Sequence, residues 1–182
     1  MSNAIKVLPY YTYDEYCKWE GRWELIEGLP FAMSPAPAPK HQLIAVEIKY
    51  EFNKAIKNKK CNHCRVYDFI DVKVEDDTIL QPDALIVCNE IKKPYLDFPP
   101  TLVVEVLSPS TALKDRNNKF YIYQDFKIPY YLMVDPNKQE IEVFHLNNNG
   151  KYQLMENEAN NLFSFDLHEE CSVEVELGGI FG

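Results

Sequence analysis

The sequence predicts a mixed α/β domain in which helices pack on a central β-sheet. Three observations carry this: several short strand-like stretches, one long helical pattern, and an apolar run interrupted once by Glu105. Twelve Tyr and ten Phe among the 182 residues favour sheet, because aromatic side chains suit a pleated, half-buried surface. The length fits a single domain, residues 1–182, able to bury a sizeable core without staples. The share of hydrophobic (46%) and charged (26%) residues is that of an ordinary soluble protein.

Thr12 and Glu15 have the spacing of a capping box and predict a short helix to about Glu20. Gly28 and Pro30 divide the next stretch into a hairpin, Trp23–Glu27 against Phe31–Met33. Ser34 to Pro39 carries three prolines and reads as an irregular loop. His41–Asn58 is the strongest helix, with Leu43, Val46, Ile48, Tyr50, Phe52 and Ile56 as its apolar positions. Val66–Val74 and Ile79–Val87 read as strands about a Glu75-Asp76-Asp77 turn, and Tyr95–Pro100 as a loop. Thr101–Leu107 is a strand buried on both faces. A helix from the Ser108–Thr111 break ends near Phe126, before Pro129. Tyr130–Val134 and Ile141–Leu146 are strands about an Asp135-Pro136-Asn137 turn, and Asn147–Gly150 turns into Lys151–Met155. Phe163–Leu167 and Val173–Leu177 close the chain as strands.

The chain has no run near the roughly 20 apolar residues that cross a bilayer, and no basic-then-apolar leader. Its odd number of cysteines, at 17, 61, 64, 88 and 171, then suggests reduced thiols and a cytoplasmic protein. Cys61-Asn62-His63-Cys64 has the spacing of half a zinc knuckle, but no second Cys/His pair stands at a supporting distance, so it reads as a polar turn. The net charge of −9 argues against general affinity for polyanions. Lys49, Lys54, Lys57, Lys59, Lys60 and Arg65 are a local exception, either a solvated helix face or a phosphate track.

Two carboxylates stand where carboxylates are costly. Glu105 lies among Leu102, Val103, Val104, Val106 and Leu107, with Val103 and Leu107 on its own face. Unpaired there, it would cost several kcal/mol or turn neutral, so it needs a cation, hydrogen-bond donors or a metal; a buried salt bridge satisfies the same need. Asp83 abuts the buried Ala84-Leu85-Ile86-Val87, behind a Pro82 that implies an edge or a bulge. Carboxylates on two strands joined by one loop would suit Mg²⁺. Lys119, on the following helix, shares a face with Asp115 and Tyr123, which by itself implies no more than a surface ion pair.

Together these segments resemble a known family. Gln81-Pro82-Asp83-Ala84, Leu102 through Thr111, Asp115, Lys119, Tyr123 and Tyr130 through Pro136 follow one another at familiar spacings. So do Glu24 through Gly28, Ser34-Pro35 and His41-Gln42. The chain is similar, over about residues 10–177, to bacterial proteins labelled putative restriction endonucleases, in the PD-(D/E)XK nuclease superfamily. The superfamily motif is Pro-Asp, then Asp or Glu, any residue, and Lys. Pro82-Asp83 and Glu105 match it, but position 107 is Leu, and Lys119 is the stand-in.

The resemblance implies a restriction-endonuclease-like central mixed β-sheet flanked by helices, with Asp83 and Glu105 on adjacent strands. It implies Mg²⁺ or Mn²⁺ held by those two carboxylates, cleavage of nucleic acid (DNA first), and a homodimer. Lys119 would orient water or stabilise the transition state, and Glu24 is an extra acidic group or an ordinary strand-edge carboxylate. The aromatic-rich strands after Pro129 and the apolar Leu177–Phe181 tail are a second reason to expect a homodimer. His41 reads as a cap or a loop-packing residue. Two other readings stay open: a nuclease fold kept as an inactive binding or assembly module, and a metal-dependent hydrolase of some other substrate.

Overall fold

The computed structural model describes residues 8–33, 37–108, 112–156 and 161–182. The expected features at Ser34-Pro35 and at Ser110-Thr111 lie outside them. The capping box forms, with the Thr12 N–H donating to Glu15 Oε2 at 2.9 Å. The helix it starts, α1 (Tyr13–Tyr16), is a single turn and stops short of Glu20. Trp19 instead packs edge-on against Tyr11 and Trp23.

β1 (Trp23–Ile26) and β2 (Leu29–Ala32) form the expected hairpin. Its turn residues Glu27 and Gly28 both have positive φ, as a two-residue hairpin turn that follows the strand twist requires.

The long helix α2 (Pro39–Asn58) starts on a proline whose missing N–H costs nothing in the first turn. Its buried row is Ile44, Ile48, Phe52 and Ile56, a single ridge at four-residue spacing. The wider apolar face read from the sequence is corrected here: Leu43, Val46 and Tyr50 are exposed, because one ridge alone meets the sheet.

The two long strands expected after α2 are corrected as well. Phe69, at φ 54°, breaks the first into β3 (Arg65–Tyr67) and β4 (Val72–Glu75). Gln81-Pro82-Asp83 breaks the second into β5 (Thr78–Leu80) and β6 (Ala84–Val87). The pieces join different sheets. β4 and β5 pair within a four-stranded sheet ordered β2-β1-β5-β4. β3 and β6 enter a six-stranded sheet together with β7 (Leu102–Val106), β8 (Tyr130–Asp135), β9 (Glu140–Leu146) and β10 (Tyr152–Leu154). Its order is β10-β9-β8-β7-β6-β3, with β7 and β8 parallel and the remaining pairs antiparallel.

The crossover between the parallel strands is helical but irregular. It runs as α3 (Ala112–Lys114), a π-turn over Asp115–Lys119, and α4 (Phe120–Asp125). β11 (Leu162–His168) and β12 (Cys171–Glu176) make a separate hairpin that packs on α2.

The six-stranded sheet thus has two covered faces. Ala84, Ile86, Leu102, Val104, Val106 and Leu132 meet α2 and the β11–β12 hairpin in one apolar cluster. Leu85, Val87, Val103, Leu107, Tyr131 and Met133 meet Ile26, Leu80 and Tyr123 in the other. Leu177 and Ile180 are buried in the first cluster, so the apolar tail covers its own domain and gives no reason to expect a homodimer.

The expectation of reduced thiols is also corrected: Cys61 bonds to Cys171 and Cys64 to Cys88, while Cys17 is free and exposed. α2 and β12 bring Cys61 and Cys171 together, and the β3–β6 register sets Cys64 against Cys88. Among the described residues no helix is long and apolar enough to cross a membrane.

Candidate active site

Alternation along β7 sends Leu102, Val104 and Val106 to one face of the sheet and Val103, Glu105 and Leu107 to the other. Glu105 is therefore delivered into the second apolar cluster at 3% exposure. Asp83 sits at the hinge where the chain leaves the small sheet for the large one. Its N–H donates to Val104 O at 3.1 Å, and its Oδ2 accepts the Val106 N–H at 2.8 Å. Those two bonds straddle Glu105 and hold Asp83 beside it. Both carboxylates line one cleft of about 810 Å³.

Lys119 reaches the same place from the crossover helix, and its ammonium is 2% exposed. It lies 2.7 Å from Glu24 Oε1, 2.8 Å from Glu105 Oε1 and 3.3 Å from Asp115 Oδ1. The π-turn spreads these residues more widely than an α-turn would, and such turns recur at functional sites. Tyr123, on the next turn, donates its hydroxyl to Glu105 Oε1 at 2.7 Å. Glu24, on β1, is fully buried; its Oε1 accepts the Gln81 N–H at 3.1 Å and its Oε2 pairs with Lys114.

The titration of these groups follows from who shares Lys119. Burial alone would raise the Glu24 carboxyl, but Lys119 and Lys114 outweigh it and hold the group below the usual carboxylate range. Burial pushes Glu105 well above that range; Lys119 opposes the push, while Asp115, Asp83 and Glu24 add to it. Burial would lower the Lys119 ammonium, yet Glu105, Glu24 and Asp115 hold it well above its ordinary value. Four carboxylates, Glu24, Asp83, Glu105 and Asp115, thus face the two ammonium groups of Lys114 and Lys119. Arg22 and Lys40 line the same cleft, so its four carboxylates meet four cationic side chains.

The donor set fits a hard divalent cation such as Mg²⁺ or Mn²⁺. Asp83 Oδ1 and Glu105 Oε2 take no part in the bonds described above, which leaves each carboxylate an oxygen for a further ligand. Among the described residues, no three His, Cys, Asp or Glu side chains form a closed metal cage. Two carboxylates completed by water and a substrate phosphate is an arrangement Mg²⁺ accepts.

His41, read from sequence as a cap or packing residue, instead places Nε2 3.2 Å from Asp83 Oδ2. The basic stretch from Lys49 to Arg65 begins beyond the first turns of α2, whereas the cleft is lined from the helix start by Lys40 and His41. Lys49 pairs with Asp68 and Lys54 with Glu51. Besides Lys119, the cleft's cations are Arg22, Lys40 and Lys114, none singled out by the sequence. Arg22 lies over the Phe69 ring, 4.2 Å from its centroid, with Nη2 buried and lacking a hydrogen-bond partner. Nothing in the local pattern marks Arg22, and Lys114 is brought in by the π-turn that periodicity does not predict.

Comparison with known proteins agrees with this architecture. An uncharacterised protein of Synechocystis sp. is 30% identical over 166 residues, covering 83% of this chain and 82% of the relative. A crystal structure of a putative nuclease belonging to DUF820 from Anabaena variabilis superposes with a TM-score of 0.73 at 19% identity, covering 94% of this chain and 97% of that one. The sequence model of the Uma2 family, described as putative restriction endonuclease, matches residues 12–176. The chain belongs to the Uma2 family of putative restriction endonucleases.

Proposed function

We propose that this chain is a divalent-metal-dependent endonuclease that hydrolyses phosphodiester bonds in nucleic acid, DNA in the first place. The observation that carries the reading is the meeting of Asp83, Glu105 and Lys119, from three separate elements, in one cleft. In the proposal Asp83 and Glu105 hold Mg²⁺ or Mn²⁺. When bound, the metal supplies a water of lowered pKa and neutralises charge on the scissile phosphate.

The protein's own groups do the rest. Tyr123 fixes the Glu105 carboxylate by donating to Oε1. Glu24 and Asp115 hold the Lys119 ammonium at the cleft, where it orients the attacking water and meets charge developing on phosphate. Glu24 is on this reading a positioning residue. Arg22, with Nη2 unpartnered, is placed to bind a non-bridging phosphate oxygen. A cytoplasmic setting and a homodimer that sets two sites on one duplex complete the proposal, and light scattering at micromolar concentration tests the dimer.

A second reading has its own support. Lys119 already pairs with three carboxylates, and the net charge is −9, as would suit an inactive binding or assembly module. The test is a panel of single- and double-stranded DNA and RNA incubated with Mg²⁺, Mn²⁺ or chelator. Metal-dependent cleavage that Glu105→Gln lowers by about 100-fold or more supports the nuclease. No cleavage beyond that variant sinks it. Isothermal titration of Mg²⁺ and Mn²⁺ into wild type and Asp83→Ala then asks whether the two carboxylates bind metal at all.

A further inference from the structure

Away from the residues that line the cleft, four of the five cysteines are linked in two pairs through the turn that follows α2. Cys61 and Cys64 share the turn that follows α2, whose end is set by Lys60 at φ 56° and by the Cys61 N–H donating to Ile56 O at 3.0 Å. The Cys64 N–H returns to Cys61 O at 3.4 Å, so both thiol-bearing residues flank a single tight turn. Cys88 follows β6 and stands opposite Cys64, with Cα atoms 3.9 Å apart. Cys171 opens β12 and stands opposite Cys61, with Cα atoms 5.5 Å apart. All four are at most 8% exposed.

The half knuckle seen in the sequence therefore has the two further cysteines it lacks there. They come from strands distant in the chain, at separations of 24 and 110 residues, beyond the reach of any spacing rule. As drawn, the sulfurs are paired in two disulfides, which occupies every donor. Opened, the same positions offer four thiolates from a Cys-x-x-Cys turn and two partners, the donor set of a closed tetrahedral zinc site. Cys61, Cys64 and Cys171 also line a small pocket of about 120 Å³ with Lys60, His63 and His168. The Arg65 guanidinium donates to the carbonyls of Asn62 and Cys64 at 2.7 and 2.8 Å. Lys60, His63, His168 and Arg65, against the one carboxylate of Glu170 that also lines the pocket, suit the excess negative charge of a metal bound by four thiolates.

We propose that the reduced protein binds one Zn²⁺ through the thiolates of Cys61, Cys64, Cys88 and Cys171, as a clip joining the end of α2, the β3–β6 pair and the β11–β12 hairpin. The chemistry balances with a low-molecular-weight thiol as reductant. Each disulfide takes two electrons and two protons from two thiol molecules, which leave as one small-molecule disulfide. Zinc then displaces the four thiol protons. The site is independent of the nuclease reading and would stand if that reading fell.

The test uses the full-length protein, reduced with a phosphine under argon and titrated with Co²⁺ and then Zn²⁺. The expected result is one tightly held Co²⁺ per chain with thiolate-to-cobalt charge-transfer bands, bleached by one equivalent of Zn²⁺. Thiol-reactive reagent should then find Cys17 alone readily accessible, against all five cysteines once zinc is removed by chelator. Glu105→Gln should keep the cobalt spectrum, whereas Cys64→Ser and Cys88→Ser should each weaken binding at least about 10-fold. Absence of charge-transfer bands in the reduced wild-type protein overturns the proposal without recourse to any variant. So does full thiol reactivity in the presence of zinc, or survival of both disulfides in millimolar glutathione.

Discussion

Strands β6, β7 and β8 have two faces with opposite chemistry. The face toward α2 and the β11–β12 hairpin is hydrocarbon and sulfur: Ile48, Phe52, Ile86, Val104, Leu132 and Phe165, with the four bonded cysteines at its margin. The face toward the small sheet and the crossover helix is equally buried, yet it holds Glu24, Glu105, Asp115 and Lys119 among Tyr123 and Tyr131. Burial alone therefore does not separate scaffold from site; what the buried groups need from one another does. The dry face gains free energy from every methylene removed from water. The charged face pays desolvation for each ion, offset only as long as the network is complete. One short strand serves both because its alternation puts Val104 and Val106 on one side and Glu105 on the other.

That contrast can be broken by substitution. Phe52→Ala, which removes a ring tilted against Phe165 at 5.2 Å between centroids in the dry face, should cost about 4 kcal/mol in urea unfolding. A loss below about 1 kcal/mol would mean this face is not the scaffold. Lys119→Met should cost about 3 kcal/mol, since it strands three carboxylates in a buried site. Adding Glu105→Gln should restore part of that loss, whereas no second change of charge should rescue Phe52→Ala. Strict additivity of Lys119→Met and Glu105→Gln would show that the two groups are not coupled.

Smaller effects sharpen the same division. Tyr123→Phe keeps the ring and deletes the hydroxyl bond to Glu105, so about 1.5 kcal/mol should go, measured by thermal melting without metal. An unchanged melting temperature would remove Tyr123 from the network. Lys54→Ala, which cuts an exposed pair with Glu51 on α2, should leave the urea-unfolding midpoint unchanged.

The dry face was the more legible in the sequence. Leu102 to Leu107 reads as a doubly buried strand, and the last two strands, the Asn147–Gly150 turn and the Thr12–Glu15 cap all have local signatures. The presence of Glu105 and Asp83 in apolar surroundings was legible too, because cost at a position is a local property. Which groups meet that cost was less so. Glu24 reaches Lys119 from a different sheet, across a sequence distance that carries no periodic signal. Lys114 enters through a turn whose period is not 3.6. The break at Phe69 is hidden because apolar content continues past it, whereas Pro82 reads as an edge or a bulge and not as the point where the chain changes sheets. The exposed Leu43, Val46 and Tyr50 show the complementary error, where periodicity overstates how wide a face the sheet can cover.

The widened turn at Asp115–Lys119 ties the phase of the crossover helix to how that turn is wound. Each α-helical residue advances the chain by about 100° around the axis. A π-turn holds one residue more than the α-turn it replaces, so relaxing it to α geometry at its present length would rotate everything after it relative to Ala112–Lys114 by about that amount. Lys114 and Lys119 could then no longer both face Glu24, and Tyr123 would swing away from Glu105. Excising one residue at Asn117 as well would restore the phase, because Lys114 and Lys119 would then stand four α-helical residues apart. In this segment the disarming lesion is a change of winding, and the loss of a residue is the change that compensates it.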